Sequence, residues 1–212
     1  MRILNRRFPI SKPENGTNYL AFIICAALFV CGGIVGTVSA GYVSDGNVLY
    51  RYISDFLMTS GSGISSLLDF VLLLFNMFKY HLLAMFFGFS VLGIICLPVL
   101  SALRGFFLCF SISAMIRLFG SNGIALALSV FGIGTLLTIP CYFILAVQAF
   151  SASLNLFKAV RATGGTLPPP VPYGRGYFLL WGVCFLILAV AFLAGVFITP
   201  YLTDLAAAKM IA

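Results

Sequence analysis

The sequence predicts an all-α integral membrane protein with about five transmembrane helices plus one interfacial or half-inserted helix. Three observations carry that prediction. Of 212 residues, 62% are hydrophobic and only 8% charged, against about 25% charged in a typical soluble domain. Three apolar runs follow one another between residues 70 and 150 with almost no loop, and Lys79, Arg104 and Arg117 are the only full charges there. Phe and Gly are abundant, at 22 and 21, and glycine is commoner in membrane helices than in soluble ones.

Residues 1–18 read as a cytoplasmic N-terminal tail. Arg2, Arg6, Arg7 and Lys12 face one acid, Glu14, and Pro9, Pro13 and Gly16 oppose a regular helix. The rest, 19–212, reads as a single transmembrane helical domain. Its first span is 19–42. Val38-Ser39-Ala40 resembles a signal-peptidase site, but the apolar run exceeds the 7–15 residues of a signal core, so an uncleaved anchor is expected. Gly32, Gly33 and Gly36 give this span a small-residue face for close helix approach. Residues 43–63 are polar and turn-rich, and face outward if the N-terminus is inside.

Residues 64–78 carry apolar side chains at helical spacing, with Ser62, Ser66, Asp69 and Asn76 as a narrow polar stripe. Fifteen helical residues reach about 22 Å, short of the roughly 30 Å hydrocarbon core. An interfacial or half-inserted helix is therefore expected. The remaining spans are read at 80–100, ending near Pro98; 102–119, after a short turn at Arg104-Gly105; 124–150, interrupted by Gly132, Gly134 and Pro140; and 177–200. Gly120-Ser121-Asn122-Gly123 is a turn. Leu167 to Pro172 reads as a stiff polyproline-like spacer in a cytoplasmic loop. Trp181 and Tyr177 mark one end of the last span and Tyr201 the other, as an aromatic belt would.

The net charge of +7 fits a positive-inside bias better than nucleic-acid binding. With the N-terminus inside and the C-terminus outside, the inner segments carry Arg2, Arg6, Arg7, Lys12, Arg104, Lys158, Arg161 and Arg175 against Glu14. The outer ones pair Arg51, Lys79, Arg117 and Lys209 with Asp45, Asp55, Asp69 and Asp204.

The functional chemistry is sparse. The six cysteines lie singly in apolar runs without metal-ligand spacing and read as small buried apolar residues. His81 has no acid or cysteine at ligand spacing and is expected at the membrane interface. No nucleophile elbow, zinc motif or phosphate loop is present. Neither an enzyme nor a cofactor is expected. A broken fourth span and Arg104 are features that transport pathways use. Against that, Gly132 and Gly134 allow close packing, Pro140 kinks a helix, and Arg104 can anchor at the inner interface. No acid lies within a predicted span.

The order of landmarks is more telling: Asn76 ending an apolar helix, Gly88 and Gly93 in NMFKYHLLAMFFGFSVLG, the Arg-Gly of LRGFFLCFSISAMI, the turn GSNGI, and TLLTIPCYFILA. This pattern over 70–150 resembles the stage II sporulation protein M family of bacterial membrane proteins. The resemblance implies a non-enzymatic membrane scaffold that anchors and localises peptidoglycan-degrading enzymes during engulfment. Its implied partners, besides membrane lipids, are a membrane-anchored lytic transglycosylase and an amidase, in a homo- or hetero-oligomer. Its implied location is the bacterial cytoplasmic membrane, and in a spore former the septal or engulfing mother-cell membrane. The structural or partner-contact candidates are Asp69, Asn76, Gly88, Gly93, Arg104, Gly105, Gly132, Gly134 and Pro140. The competing expectation is a permease-type subunit of a transporter.

Overall fold

The computed structural model describes residues 15–42, 67–163 and 174–211. The expected basic tail up to residue 14, the outward loop and the proline-rich spacer lie outside the described residues. The described chain is helical almost throughout. Its elements are α1 (Asn15–Tyr42), α2 (Leu67–Gly88), α3 (Gly93–Phe119), the short α4 (Ser121–Ala127), a π-helical segment (Leu128–Gly132), α5 (Ile133–Thr163) and α6 (Arg175–Ile211). Five stretches are long and apolar enough to cross a membrane: Asn18–Tyr42, Phe70–Gly88, Gly93–Phe119, Gly134–Arg161 and Arg175–Ile198. A shorter apolar helix runs over Gly123–Gly132.

Five long apolar helices and one shorter one match the expected architecture, but the segments that supply them are partly different. The helix expected to stop at residue 78 does not stop there. From Leu67 the helix continues through Lys79 and His81 to Gly88, 22 residues in all, about 33 Å and enough to span. The chain reverses at residues 89–92. Short-range bonds close this turn, from the Phe89 amide to the Phe86 carbonyl (3.2 Å) and from the Gly93 amide to the Ser90 carbonyl (3.1 Å). From the facing helix, the Ser153 hydroxyl donates to the Ser90 carbonyl at 2.6 Å.

The turn expected at Arg104-Gly105 is the middle of α3. Pro98 does not end this helix either, and is buried inside it. The physical reason is packing. A proline costs a helix about 3 kcal/mol, and the apolar burial on both sides outweighs it. Leu97 and Ser101 are fully buried, and Leu100 is nearly so.

The most extensive helix pair is α1 with α3. Its basis is glycine, as expected for α1. A Cβ on Gly32 would strike the backbone carbonyl of Ala102, and one on Gly36 that of Phe106. In return, a Cβ on Gly105 would strike the Phe29 carbonyl. Backbone meets backbone at these three points, which only glycine permits.

Helix α5 is the axle of the bundle and touches α1, α2, α3 and α6. Its Cys141, Tyr142, Leu145, Ala146, Ala149 and Phe150 form the main core with Ala21, Ala84, Leu97, Tyr177 and Trp181. Phe143 adds edge-on contacts to Phe22 and Phe29 of α1. Stacked Phe78 and Phe185, with centroids 5.6 Å apart, join α2 to α6.

At the other end, Gly120 takes a positive φ of 58°, a conformation that suits glycine. The chain folds back there, so that Gly123 lies against the Met115 carbonyl. Ala114, Met115 and Ala127 form a second, smaller core. The π-helical segment follows. Its widened turn is supported by side chains. Ser129 donates to the Ala125 carbonyl at 2.8 Å, and Thr135 donates to the carbonyls of Phe131 and Gly132. Such turns leave carbonyls poorly partnered, and nearby hydroxyls satisfy them.

Candidate functional site

Because α3 runs unbroken from Gly93 to Phe119, Arg104 lies near the middle of a helix long enough to span a membrane, not at an end. It lies about 16 Å along the axis from the start of α3 and about 22 Å from its end. Around it the bundle gathers polar groups from three helices. Ser101 and Arg104 share a face of α3, one turn apart. Thr138 and Tyr142 share a face of α5. Tyr80 and His81 come from α2.

The guanidinium carbon of Arg104 sits 4.4 Å from the centroid of the Tyr142 ring and 5.6 Å from that of Tyr80. Both are within cation–π range, and the attraction strengthens where water is excluded. The Arg104 Nη1 lies 3.4 Å from Nε2 of His81, and that nitrogen lies 3.4 Å from the Thr138 carbonyl. A guanidinium can only donate and a carbonyl can only accept. His81 Nε2 therefore serves one of the two at a time, as acceptor or as donor. The His81 and Tyr142 rings meet edge-on at 5.9 Å. Tyr142 Oη and Ser101 Oγ are 3.0 Å apart, and Ser101 also donates to the Leu97 carbonyl at 3.0 Å. His81, Ser101 and Tyr142 are all fully buried. His81 is thus a core residue, not an interfacial one. Its position follows from α2 being a full span.

On the open side of the cluster, Lys79 lies 5.3 Å from the Tyr80 ring centroid. Its ammonium donates to Asn76 Oδ1 at 3.0 Å. Tyr80 is therefore flanked by two cations, Lys79 and Arg104. Both are partly exposed. Residues 70–203 contain no Asp or Glu at all, so no acid in the later spans can neutralise either. What the arrangement does chemically is hold positive charge in apolar surroundings using ring faces, hydroxyls and one imidazole. Among the described residues no group of three metal-ligating side chains comes together.

The other sequence-derived candidates scatter. The side chain of Asp69 lies outside the described residues. Asn76 is exposed beside Lys79. Gly88 and Gly93 bracket the 89–92 turn and are buried against α5. A Cβ on Gly88 would come 2.9 Å from Ala149 Cβ, and one on Gly93 would come 2.9 Å from Ser153 Oγ. Gly105 packs on α1 as described. Gly132 and Gly134 do not mediate close helix contact as expected. The nearest neighbour of a Cβ on Gly132 is Leu128 at 4.0 Å, and Gly134 has nothing within 4 Å. Pro140 faces outward from α5. Of the candidates whose side chains are described, Arg104 belongs to the polar cluster and Asn76 borders it through Lys79.

The space around Gly134 yields a direct expectation. Alanine there should stabilise the protein by about 0.5–1 kcal/mol, because glycine within a helix costs roughly that much. Unfolding in mixed micelles by SDS titration would measure it, and a loss of stability would show that this stretch must widen or bend.

Sequence reasoning passed over Tyr80, Ser101, Thr138 and Tyr142, and put His81 at the interface. The available signals were the three-residue spacing of Ser101 and Arg104 and the four-residue spacing of Thr138 and Tyr142. Neither is distinctive until the helices are paired.

Neither the comparison with curated proteins nor that with solved structures gives a match. A family model does match: stage II sporulation protein M, over residues 25–200. The match runs from α1 into α6 and takes in every helix that builds the cluster. This chain belongs to the stage II sporulation protein M family.

Proposed function

We propose that the protein is a non-enzymatic membrane scaffold that positions peptidoglycan-degrading enzymes during engulfment of the forespore. The observation that carries this reading is the family match across nearly all of the described bundle. The architecture suits it. The closely packed α1–α3 pair and the central α5 form the frame, while α1 and α6 keep broad apolar faces outward, including Ile34, Val35, Leu179 and Leu186. Such faces suit lipid and the single-pass anchors of partner enzymes alike.

In this reading the N-terminus is cytoplasmic and the C-terminus outside. Arg2, Arg6, Arg7, Lys12, Lys158, Arg161 and Arg175 then lie on the inner side, where positive charge is favoured. The 89–92 turn is inside as well, and the polar segment 43–63 faces the wall, where hydrolases act. Affinity purification of the tagged chain from sporulating cells in mild detergent tests the proposal. A lytic transglycosylase and an amidase are expected among the recovered proteins, and fewer of both when 43–63 is replaced by a neutral linker. Recovery of neither enzyme with the intact chain would defeat the scaffold reading.

One feature favours a second reading, a permease-type subunit. Charged and hydroxyl side chains meet at mid-membrane beside a helix with a π-helical segment and an internal proline. Such discontinuities occur along substrate paths. Cys141 is buried next to Tyr142 and discriminates between the two. A scaffold predicts that membrane-impermeant thiol reagents leave Cys141 unlabelled in intact cells, whereas a water-filled path predicts labelling.

A further inference from the structure

Resting on the scaffold reading, we propose that Lys79 and Arg104 form an intramembrane docking point for an acidic side chain on a partner's transmembrane helix. Four observations lead there. Two cations flank one ring, Tyr80, at 5.3 and 5.6 Å from its centroid. Both are partly exposed, whereas His81 behind them is fully buried. The surfaces beside them are apolar and open: Leu82, Leu83 and Phe86 on α2, with Val99, Leu103 and Phe107 on α3. No carboxylate occurs in residues 70–203 or 15–44.

Cation–π contacts and one amide oxygen soften these charges but leave them positive. Ionisable groups at this depth pair with an opposite charge when one is offered. The depth selects the source. Arg104 lies about 16 Å from the start of α3, too far into the hydrocarbon for a lipid phosphate to meet it readily. A second copy of this chain is a poor donor, because its spans hold no acid beyond the entrance of α2. A single-pass helix with Glu or Asp near its centre fits. Its apolar flanks would lie on the exposed faces of α2 and α3. Its carboxylate would pair with the Arg104 guanidinium, and the Lys79 ammonium would add a longer-range attraction across Tyr80.

The test uses the full-length chain in zwitterionic phosphatidylcholine vesicles. The probes are leucine–alanine transmembrane peptides of about 23 residues with one central Glu, Gln or Leu, and association is read by energy transfer. The Glu peptide should bind at least about tenfold more tightly than the Gln peptide, a gap of the size expected for a desolvated ion pair over a neutral interhelical hydrogen bond. The preference should vanish in K79Q/R104Q and persist in part in R104K. Equal binding of Glu and Gln peptides by the unaltered chain would overturn the proposal, even if the double variant does not fold. Loss of the Glu preference when phosphatidylglycerol is added would assign the site to lipid and overturn it too. So would displacement of the Glu peptide by millimolar butyrate, which would point to a solute site.

In sporulating cells, K79Q/R104Q should recover fewer anchored hydrolases than the unaltered chain. Unchanged recovery would sink the docking proposal and leave the scaffold standing. Recovery of no hydrolase by the unaltered chain would sink the scaffold, while the peptide comparison would still judge the site.

Discussion

Gly36→Ala is expected to destabilise the bundle by about 2–3 kcal/mol, the upper part of the range for overpacking a close-fitted interior. One methyl group is enough because of what it meets. At Gly36 the obstacle is the backbone carbonyl of Phe106, in the interior of α3. A side chain could turn aside, but a helix backbone can yield only by moving the whole helix. Gly32 against Ala102 and Gly105 against Phe29 hold the same two helices together just N-terminal to that point, so a shift that relieves one contact strains the others. Gly36→Leu should go further and yield protein that aggregates or is degraded. The measurement is SDS-induced unfolding in mixed micelles, with Gly134→Ala as the reference for alanine in open space. Equal stability of Gly36→Ala and the unaltered chain would mean that α1 and α3 do not approach as closely as described.

The second large effect concerns the partners of Arg104. Tyr142→Leu should cost about 2–3 kcal/mol. It removes a shielded cation–π contact worth about 2 and the hydroxyl that Ser101 meets, worth about 1, while keeping an apolar side chain in the core. Arg104→Met should be neutral or mildly stabilising, since exchanging a largely desolvated charge for an apolar side chain of similar size often is. Combining the two should restore much of the loss, because Tyr142 then has no cation to shield. A double-mutant cycle should give a coupling of about 1–2 kcal/mol. Additive effects would show that the ring and the guanidinium do not sense each other.

The Arg104→Met result also separates stability from purpose. A neutral Arg104→Met would show that the charge serves something other than stability.

Much of the fold was legible because composition decides it. So little polar sequence leaves helices in a bilayer as the economical solution, and the glycines of α1 announced a close neighbour. The segment boundaries were harder for a specific reason. The turn at 89–92 reads FSVL, as apolar as the helices it joins, and it is held by Ser90 and Ser153, which are distant in sequence. Arg104-Gly105 looks far more like a break. Arg104 is tolerated inside α3 because tyrosines from two other helices face it, and Gly105 is there for α1. A charge and a glycine that satisfy tertiary contacts resemble a turn when only neighbours in sequence are considered. The candidate site was legible at one residue. Arg104 stood out by charge, but Tyr142, Ser101 and His81 are ordinary members of apolar runs until helix pairing makes them neighbours.

The arrangement around Arg104 has a consequence for synthesis of the chain. An arginine at the centre of a nascent helix raises its insertion free energy by about 2.5–3.5 kcal/mol. The ring that shields it most closely belongs to α5, which leaves the ribosome later than α3. Until Tyr142 arrives, α3 depends on its apolar residues, on the α1 glycines and on Tyr80. A truncated chain ending near residue 132 and released from the ribosome should therefore show α3 more open to alkaline extraction and proteolysis than a released chain extended through residue 163. That outcome would mean that the bundle settles only when α5 closes over a charge that the earlier helices hold in part.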